Sequence, residues 1–267
     1  MNIALLQQDI IWEDPAANRR CVERQLAALR SGVDMIVLPE TFSTGFSDRM
    51  AAMAEPPQGA TLQFARAVAA RHNALFVATW TVREHPDAPA CNRLHWVCPD
   101  GTFGFYDKAH TFRMSSEAGQ LARGRSVRTF EWRGWRIRPA VCYDLRFPLW
   151  LRNNYDSQMQ RLDYDLLLVC ANWPASRQQA WSTLLRARAI ENLSYVVGVN
   201  RVGDDGAGIH YAGLSAAVDF KGEVCAACRH EFPDLQLASL DRDALQTFRA
   251  HWPFYLDADP YTLEDKE

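Results

Sequence analysis

An α/β fold, with sheets stacked in layers and helices covering their outer faces, is what the sequence predicts. Two observations carry this: strand-like and helix-like segments alternate along the chain, and tight-turn hairpins are mixed into that alternation. No linker, internal repeat or low-complexity stretch interrupts the pattern. One domain over residues 1–267 is expected, with a C-terminal arm over about 241–267.

Each element has its own signal. Residues 2–7 read as a strand. Asp14-Pro15 then supplies an N-cap followed by proline at the first helical position. Val22, Leu26 and Leu29 recur at helical spacing after it, and Gly32 is expected to close that helix. Residues 34–39 are a short apolar run, as in a strand buried on both faces. An amphipathic helix over 61–72 and a strand over 74–82 follow. Pro99-Asp100-Gly101 marks a turn between strands at 92–98 and 102–106, and Arg133-Gly134 one between 127–132 and 135–141. A strand at 165–171, a helix at 177–194 and a strand at 195–200 come next. Two strands flank Lys221-Gly222, and 235–240 reads as the last. Beyond Asp241 a short helix leads into an irregular arm carrying Trp252, Phe254 and Tyr255.

The bulk numbers narrow the function classes. With 48% hydrophobic and 23% charged residues, the chain has the composition of an ordinary globular enzyme or binding protein. A net charge of -3 gives no footprint for nucleic acid or an anionic membrane as partner. The first residues lack the basic, then apolar, pattern of a signal peptide, and runs such as 166–171 are too short to span a bilayer, so a cytoplasmic protein is expected. Seven cysteines at irregular spacing do not form a disulfide framework. Cys225 and Cys228 make a lone C-x-x-C in a strand-like segment, where the sulfurs would face opposite sides. The seven histidines show no ligand spacing, so no metal is expected, and the Gly203–Gly208 stretch reads as a turn rather than a phosphate cradle.

Three segments share an oddity: each ends a strongly apolar strand on an ionisable residue. They are Ile36-Val37-Leu38-Pro39-Glu40, Phe103-Gly104-Phe105-Tyr106-Asp107-Lys108 and Ala140-Val141-Cys142. Singly, these residues read as a loop acid, a solvated lysine and a core cysteine. Together they supply a nucleophile, a base and a cation. A thiol needs a lowered pKa or an adjacent base, a buried glutamate can be that base, and a lysine can stabilise thiolate and then the substrate oxyanion. The Tyr143 backbone N–H could add a second oxyanion donor.

The segments Leu38-Pro39-Glu40-Thr41-Phe42-Ser43-Thr44-Gly45-Phe46, Tyr106-Asp107-Lys108-Ala109-His110 and Val141-Cys142-Tyr143-Asp144-Leu145-Arg146-Phe147-Pro148 resemble the three signature segments of the nitrilase superfamily of carbon–nitrogen hydrolases. Ala171-Asn172-Trp173-Pro174, the stretch from Arg186 to Gly203, and Gly213-Leu214-Ser215 followed by Asp219-Phe220-Lys221-Gly222 resemble its ω-amidase branch. This resemblance implies a four-layer α-β-β-α sandwich, pairing with a second subunit, and a catalytic set of Glu40, Lys108 and Cys142 without a cofactor. It also implies a second glutamate, for which Glu117 is the matching residue. The implied substrate is the terminal amide of a short dicarboxylic monoamide such as 2-oxoglutaramate.

Such a substrate needs a cation for its distal carboxylate. Arg113 and Arg177 are the candidates, while Arg146 is expected to hold the loop after the nucleophile through an ion pair, and His110 to orient Lys108. Phe112, Tyr143 and Trp173 are read either as cavity walls or as packing. Nitrile or N-carbamoyl hydrolysis, a non-catalytic homologue, and redox chemistry at Cys225 and Cys228 remain as alternatives.

Overall fold

The structure, a computed structural model, describes residues 1–29 and 32–263. In chain order its main strands are β1 (Asn2–Gln7), β2 (Met35–Val37), β3 (Leu75–Val82), β4 (Ala90–Val97), β5 (Phe103–Asp107), β6 (Phe130–Trp132), β7 (Trp135–Val141), β8 (Leu166–Ala171), β9 (Tyr195–Asn200), β10 (Ala216–Val218), β11 (Val224–Ala227) and β12 (Asp234–Ser239). The longer helices are α1 (Pro15–Leu26), α2 (Ala60–His72), α3 (Gln178–Asn192) and α4 (Arg242–His251). One sheet runs β12-β1-β2-β3-β4-β5 and the other β11-β10-β9-β8-β7-β6. Each has three parallel strands inside it, β1, β2 and β3 in the first and β7, β8 and β9 in the second, with antiparallel strands outside them.

Strand alternation sorts the apolar residues into layers. Ile3, Leu5, Met35, Val37, Leu75 and Val77 enter one core together with Ile137 and Val169 of the second sheet. Their neighbours Ala4, Leu6, Ile36, Leu38, Phe76 and Ala78 enter another, shared with Val22 and Leu26 of α1 and Leu62 and Ala65 of α2. Trp181 and Leu185 of α3 and Leu245 of α4 close the far side of the first core. Gly198 lets α3 lie close on β9, since a Cβ there would come within 2.7 Å of Leu185 and 2.8 Å of Trp181. The order is therefore helix, sheet, sheet, helix, as the resemblance implied.

Most local signals are realised. The Asp14 side chain accepts the Ala17 N–H at 2.9 Å, with Pro15 opening α1. Arg133 and Gly134 both have positive φ, 46° and 78°, which suits the two-residue hairpin between β6 and β7. Helix α1 stops at Leu26, earlier than expected, because Ala28 and Leu29 donate to Gln25 and Leu26 in i→i−3 bonds that tighten and end the turn. Gly32 belongs to the connection that follows. Asp241 caps α4 through the N–H groups of Asp243 and Ala244. The arm after α4 exposes Trp252, Phe254 and Leu256, and residues 264–267 of the expected arm lie outside the described residues. All seven cysteines are free. Cys225 is exposed, whereas Cys228 is buried with its sulfur on the Leu5 carbonyl. No described helix is long and apolar enough to cross a membrane.

Candidate active site

The carboxyl ends of parallel strands from both sheets meet at one point, the usual location of a site in an open α/β sheet. Glu40 follows β2, Cys142 follows β7 and Asn172 follows β8; Lys108 follows the antiparallel edge strand β5. The sheets are tied together here. The Glu40 N–H donates to the Ala171 carbonyl at 3.3 Å, and the Asn172 side chain donates to the Glu40 carbonyl at 2.9 Å and to Thr41 Oγ1 at 2.7 Å.

Lys108 Nζ sits between two carboxylates, 2.9 Å from Glu40 Oε1 and 2.9 and 2.8 Å from the two oxygens of Glu117. All three residues are buried. Asn92 of β4 joins them, donating to Glu40 Oε1 at 2.8 Å and to Glu117 Oε1 at 3.2 Å. The backbone N–H of Asn172 reaches Glu40 Oε2 at 2.9 Å, and that of Phe112 reaches Glu117 Oε2 at 2.6 Å. Burial pushes the Glu40 pKa above the usual glutamate value; Lys108 opposes this and the Glu117 charge adds to it. Burial works against the charge on Lys108, but Glu117 and Glu40 outweigh it and hold its pKa above the usual lysine value.

Cys142 opens a tight helical turn, Cys142–Arg146, with φ at 44°, a left-handed conformation costly for a residue with a side chain. The surroundings impose it. Buried Asp144 accepts from the Val141 N–H at 2.9 Å, the Tyr106 hydroxyl at 2.8 Å, the His110 N–H at 3.0 Å and the His110 ring at 2.7 Å. Arg188 donates twice to the Leu145 carbonyl, at 3.1 and 2.8 Å. The Cys142 sulfur lies 3.7 Å from the Asn172 carbonyl oxygen and near enough to the Glu40 carboxylate to feel its charge. Burial first, and the Glu40 charge second, push its pKa well above the usual thiol value, more than Lys108 lowers it. Of the two routes to a reactive thiol, this direction favours an adjacent base over a standing thiolate.

A cavity of about 360 Å³ opens over this group. Lys108, Cys142 and Asn172 reach it, and Phe112, Tyr143, Trp173 and Arg177 line it as walls. Phe112 and Tyr143 meet edge to face at 5.1 Å, while the Arg177 guanidinium lies 5.3 Å from the Phe112 ring centre. Arg113 is exposed and lies outside the lining, since its side chain leaves the loop on the solvent side. Arg146 corrects a second expectation: it forms no ion pair among the described residues but sits over Trp173, 4.8 Å from the ring centre, facing the cavity. Asp144 and Arg188 hold the loop instead. His110 likewise serves Asp144 rather than Lys108, and stacks on Phe147 at 3.8 Å.

Sequence reading missed Asn92, Asn172, Trp12, Phe46, Asp205 and Tyr211. Asn172 stood within a quoted segment but carried no role. Asn92 stands in β4 beside Arg93 and His95, also polar and buried, so its polarity gave no distinct signal. Trp12, Asp205 and Tyr211 come from segments distant in the chain that only the fold brings to the cavity.

The carbon-nitrogen hydrolase family model matches residues 2–250. The chain is 44% identical over 264 residues to the omega-amidase YafV of Escherichia coli K12, covering 98% of each protein. It is 30% identical over 227 residues to the 2-oxoglutaramate amidase of Bacillus subtilis, covering 84% of this chain and 85% of that one. A CN-hydrolase superfamily protein of Xanthomonas campestris, with an arsenic adduct in its active site, superposes with a TM-score of 0.95 at 43% identity over 99% of both chains. Saccharomyces cerevisiae Nit3, of the nitrilase superfamily, shares the fold with a TM-score of 0.81 at 23% identity over 95% and 94% of the two chains. This chain belongs to the carbon–nitrogen hydrolase family, the nitrilase superfamily whose three signature segments its sequence resembles.

Proposed function

We propose that the protein is an ω-amidase, which hydrolyses the terminal amide of small dicarboxylic monoamides such as 2-oxoglutaramate to the acid and ammonia. The observation that carries this is the convergence of Cys142, Glu40 and Lys108 at one end of a cavity that also holds two arginines without carboxylate partners among the described residues. The names of the E. coli and B. subtilis relatives support the same substrate class.

In this reading Glu40 takes the proton of Cys142 as the sulfur attacks the amide carbon. The charge of Lys108 and the N–H of Tyr143, which lies in the first positions of the turn and so has no partner within it, stabilise the developing oxyanion. Glu40 then passes the proton to the leaving nitrogen, the C–N bond breaks, and ammonia departs from a thioester on Cys142. Water gives a proton to Glu40 and attacks the thioester; the acid leaves and the proton returns to sulfur. Glu117 anchors Lys108. Arg146 and Arg177 receive the distal carboxylate, with Phe112, Tyr143 and Trp173 excluding water from the bond under attack.

We further read the chain as a single catalytic domain working as a homodimer in the cytoplasm. The exposed Trp252, Phe254 and Leu256 of the arm support the pairing, and seven free cysteines support a reducing compartment. The test of the activity is ammonia release from 2-oxoglutaramate and a panel of short monoamides. Wild type should release ammonia and Cys142→Ala none. Release surviving in that variant would overturn the mechanism. Ammonia accompanied by carbon dioxide from an N-carbamoyl compound, with none from the monoamides, would overturn the substrate class.

A further inference from the structure

The reaction needs Glu40 to exchange a proton with Cys142, and the hydrogen bonds around the buried carboxylates bear on which Glu40 oxygen is free to do so. A carboxylate offers about four acceptor sites, two on each oxygen. On Glu117 every site is engaged: Oε1 by Lys108 and Asn92, Oε2 by Lys108 and the Phe112 N–H. On Glu40, Oε1 is filled by Lys108 and Asn92, while among the described residues Oε2 accepts only the Asn172 N–H. One acceptor site of the pair of carboxylates stays open, and it lies on Glu40 Oε2.

We infer that Asn92 is a positioning residue for the reaction: by donating to Glu40 and Glu117 together, it closes Oε1 of both and leaves Glu40 Oε2 as the oxygen that exchanges protons with Cys142. The inference rests on the reading of Glu40 as the base for Cys142. The orientation of the Asn92 amide is fixed by its neighbours, because the reverse would set its Oδ1 against two carboxylate oxygens. Its Oδ1, as placed, is buried with no hydrogen-bond partner among the described residues. A buried polar group left half satisfied detracts from stability, so packing alone gives no reason for an asparagine at this buried position. Its backbone also contributes, since the Asn92 carbonyl accepts the Lys108 N–H at 2.9 Å. One residue thus registers the lysine through its main chain and both carboxylates through its side chain.

The experiment compares wild type with Asn92→Leu, similar in size but without a donor, and Asn92→Asp, similar in shape but with a donor removed and an acid added. Cys142 alkylation by iodoacetamide is followed against pH by peptide mass, beside kcat and KM for ammonia release. Losing the donor should raise the pH midpoint of alkylation by about one unit. It should also lower kcat about 10- to 100-fold with KM little changed. The Asp variant should shift the midpoint in the same direction, which carries the test if the Leu variant fails to fold. Midpoints coinciding with wild type in the folded variants would overturn the inference and leave Asn92 a packing residue. Alkylation needs no substrate, so an error in the substrate class would not disturb this result. Glu40→Gln serves as the control: a midpoint identical to wild type there would show that the base assignment, rather than Asn92, is at fault.

Discussion

Glu40 and Asp165 are both fully buried carboxylates at the ends of sheet elements, yet their surroundings drive them in opposite directions. Asp165 accepts from Arg249 at 2.6 Å, from the backbone and guanidinium of Arg136 at 3.2 and 3.3 Å, and from Gln246 at 3.3 Å, with Arg242 at 3.9 Å. Burial alone would raise its pKa, but the Arg249 and Arg136 charges outweigh burial and hold it below the usual aspartate value. Glu40 shares its one cation with a second carboxylate and ends above the usual glutamate value. Surplus cations make a buried acid a structural anchor; a shortage leaves one that can take up and return a proton.

This contrast can be broken from either side. The largest effect is expected at Glu40→Gln, which removes the base: kcat should fall about 10²- to 10⁴-fold while the thermal midpoint holds. A variant that lost stability instead would make Glu40 an anchor like Asp165. In wild type the base form of Glu40 disappears as pH falls through its raised pKa, so the acid limb of the kcat/KM profile should lie above the ordinary glutamate value of 4.5. Next comes Asp165→Asn, expected to lower stability by about 3–5 kcal/mol in chemical denaturation by stranding Arg249, with the activity of the folded fraction unchanged.

Smaller effects sharpen the picture at the cavity and in the core. Arg146→Ala and Arg177→Ala should each lower kcat/KM for carboxylated amides, by about 10- to 100-fold, if they lose a charge-assisted bond worth about 1.5–3 kcal/mol. Uncharged amides of equal length should be hardly affected, and equal losses on both would exclude carboxylate binding. The smallest effect concerns His95, buried flat against Trp80 at 3.7 Å, with its pKa held well below 6.5 by burial and by Arg93. Below pH 6.5 the unfolded chain binds a proton that the folded chain refuses, so stability is lost as pH falls through that value. His95→Phe should flatten the decline in thermal midpoint between about pH 7 and 5.

Glu40, Lys108 and Cys142 were legible because each interrupts the end of an apolar strand, and a charge in that position has few purposes. The layered fold was legible from alternating periods, Ile3-Ala4-Leu5-Leu6 splitting its residues between two cores. Arg146 was misread because sequence spacing places it beside the nucleophile without telling which way its side chain turns. Arg113, placed near the site by sequence spacing alone, lies outside the cavity lining. The role of Asn92 depends on three elements converging around one amide, from the loop after β2, the end of β5 and the turn at Glu117. No local pattern encodes such a meeting.

The most direct test of the central claim is to quench the enzyme in acid during turnover of 2-oxoglutaramate and map its peptides by mass spectrometry. The account predicts that the Cys142 peptide gains the mass of the substrate minus ammonia, and that Glu40→Gln alters how much of this adduct accumulates. Turnover that proceeds with Cys142 never acylated, or with the adduct on another residue, would contradict it.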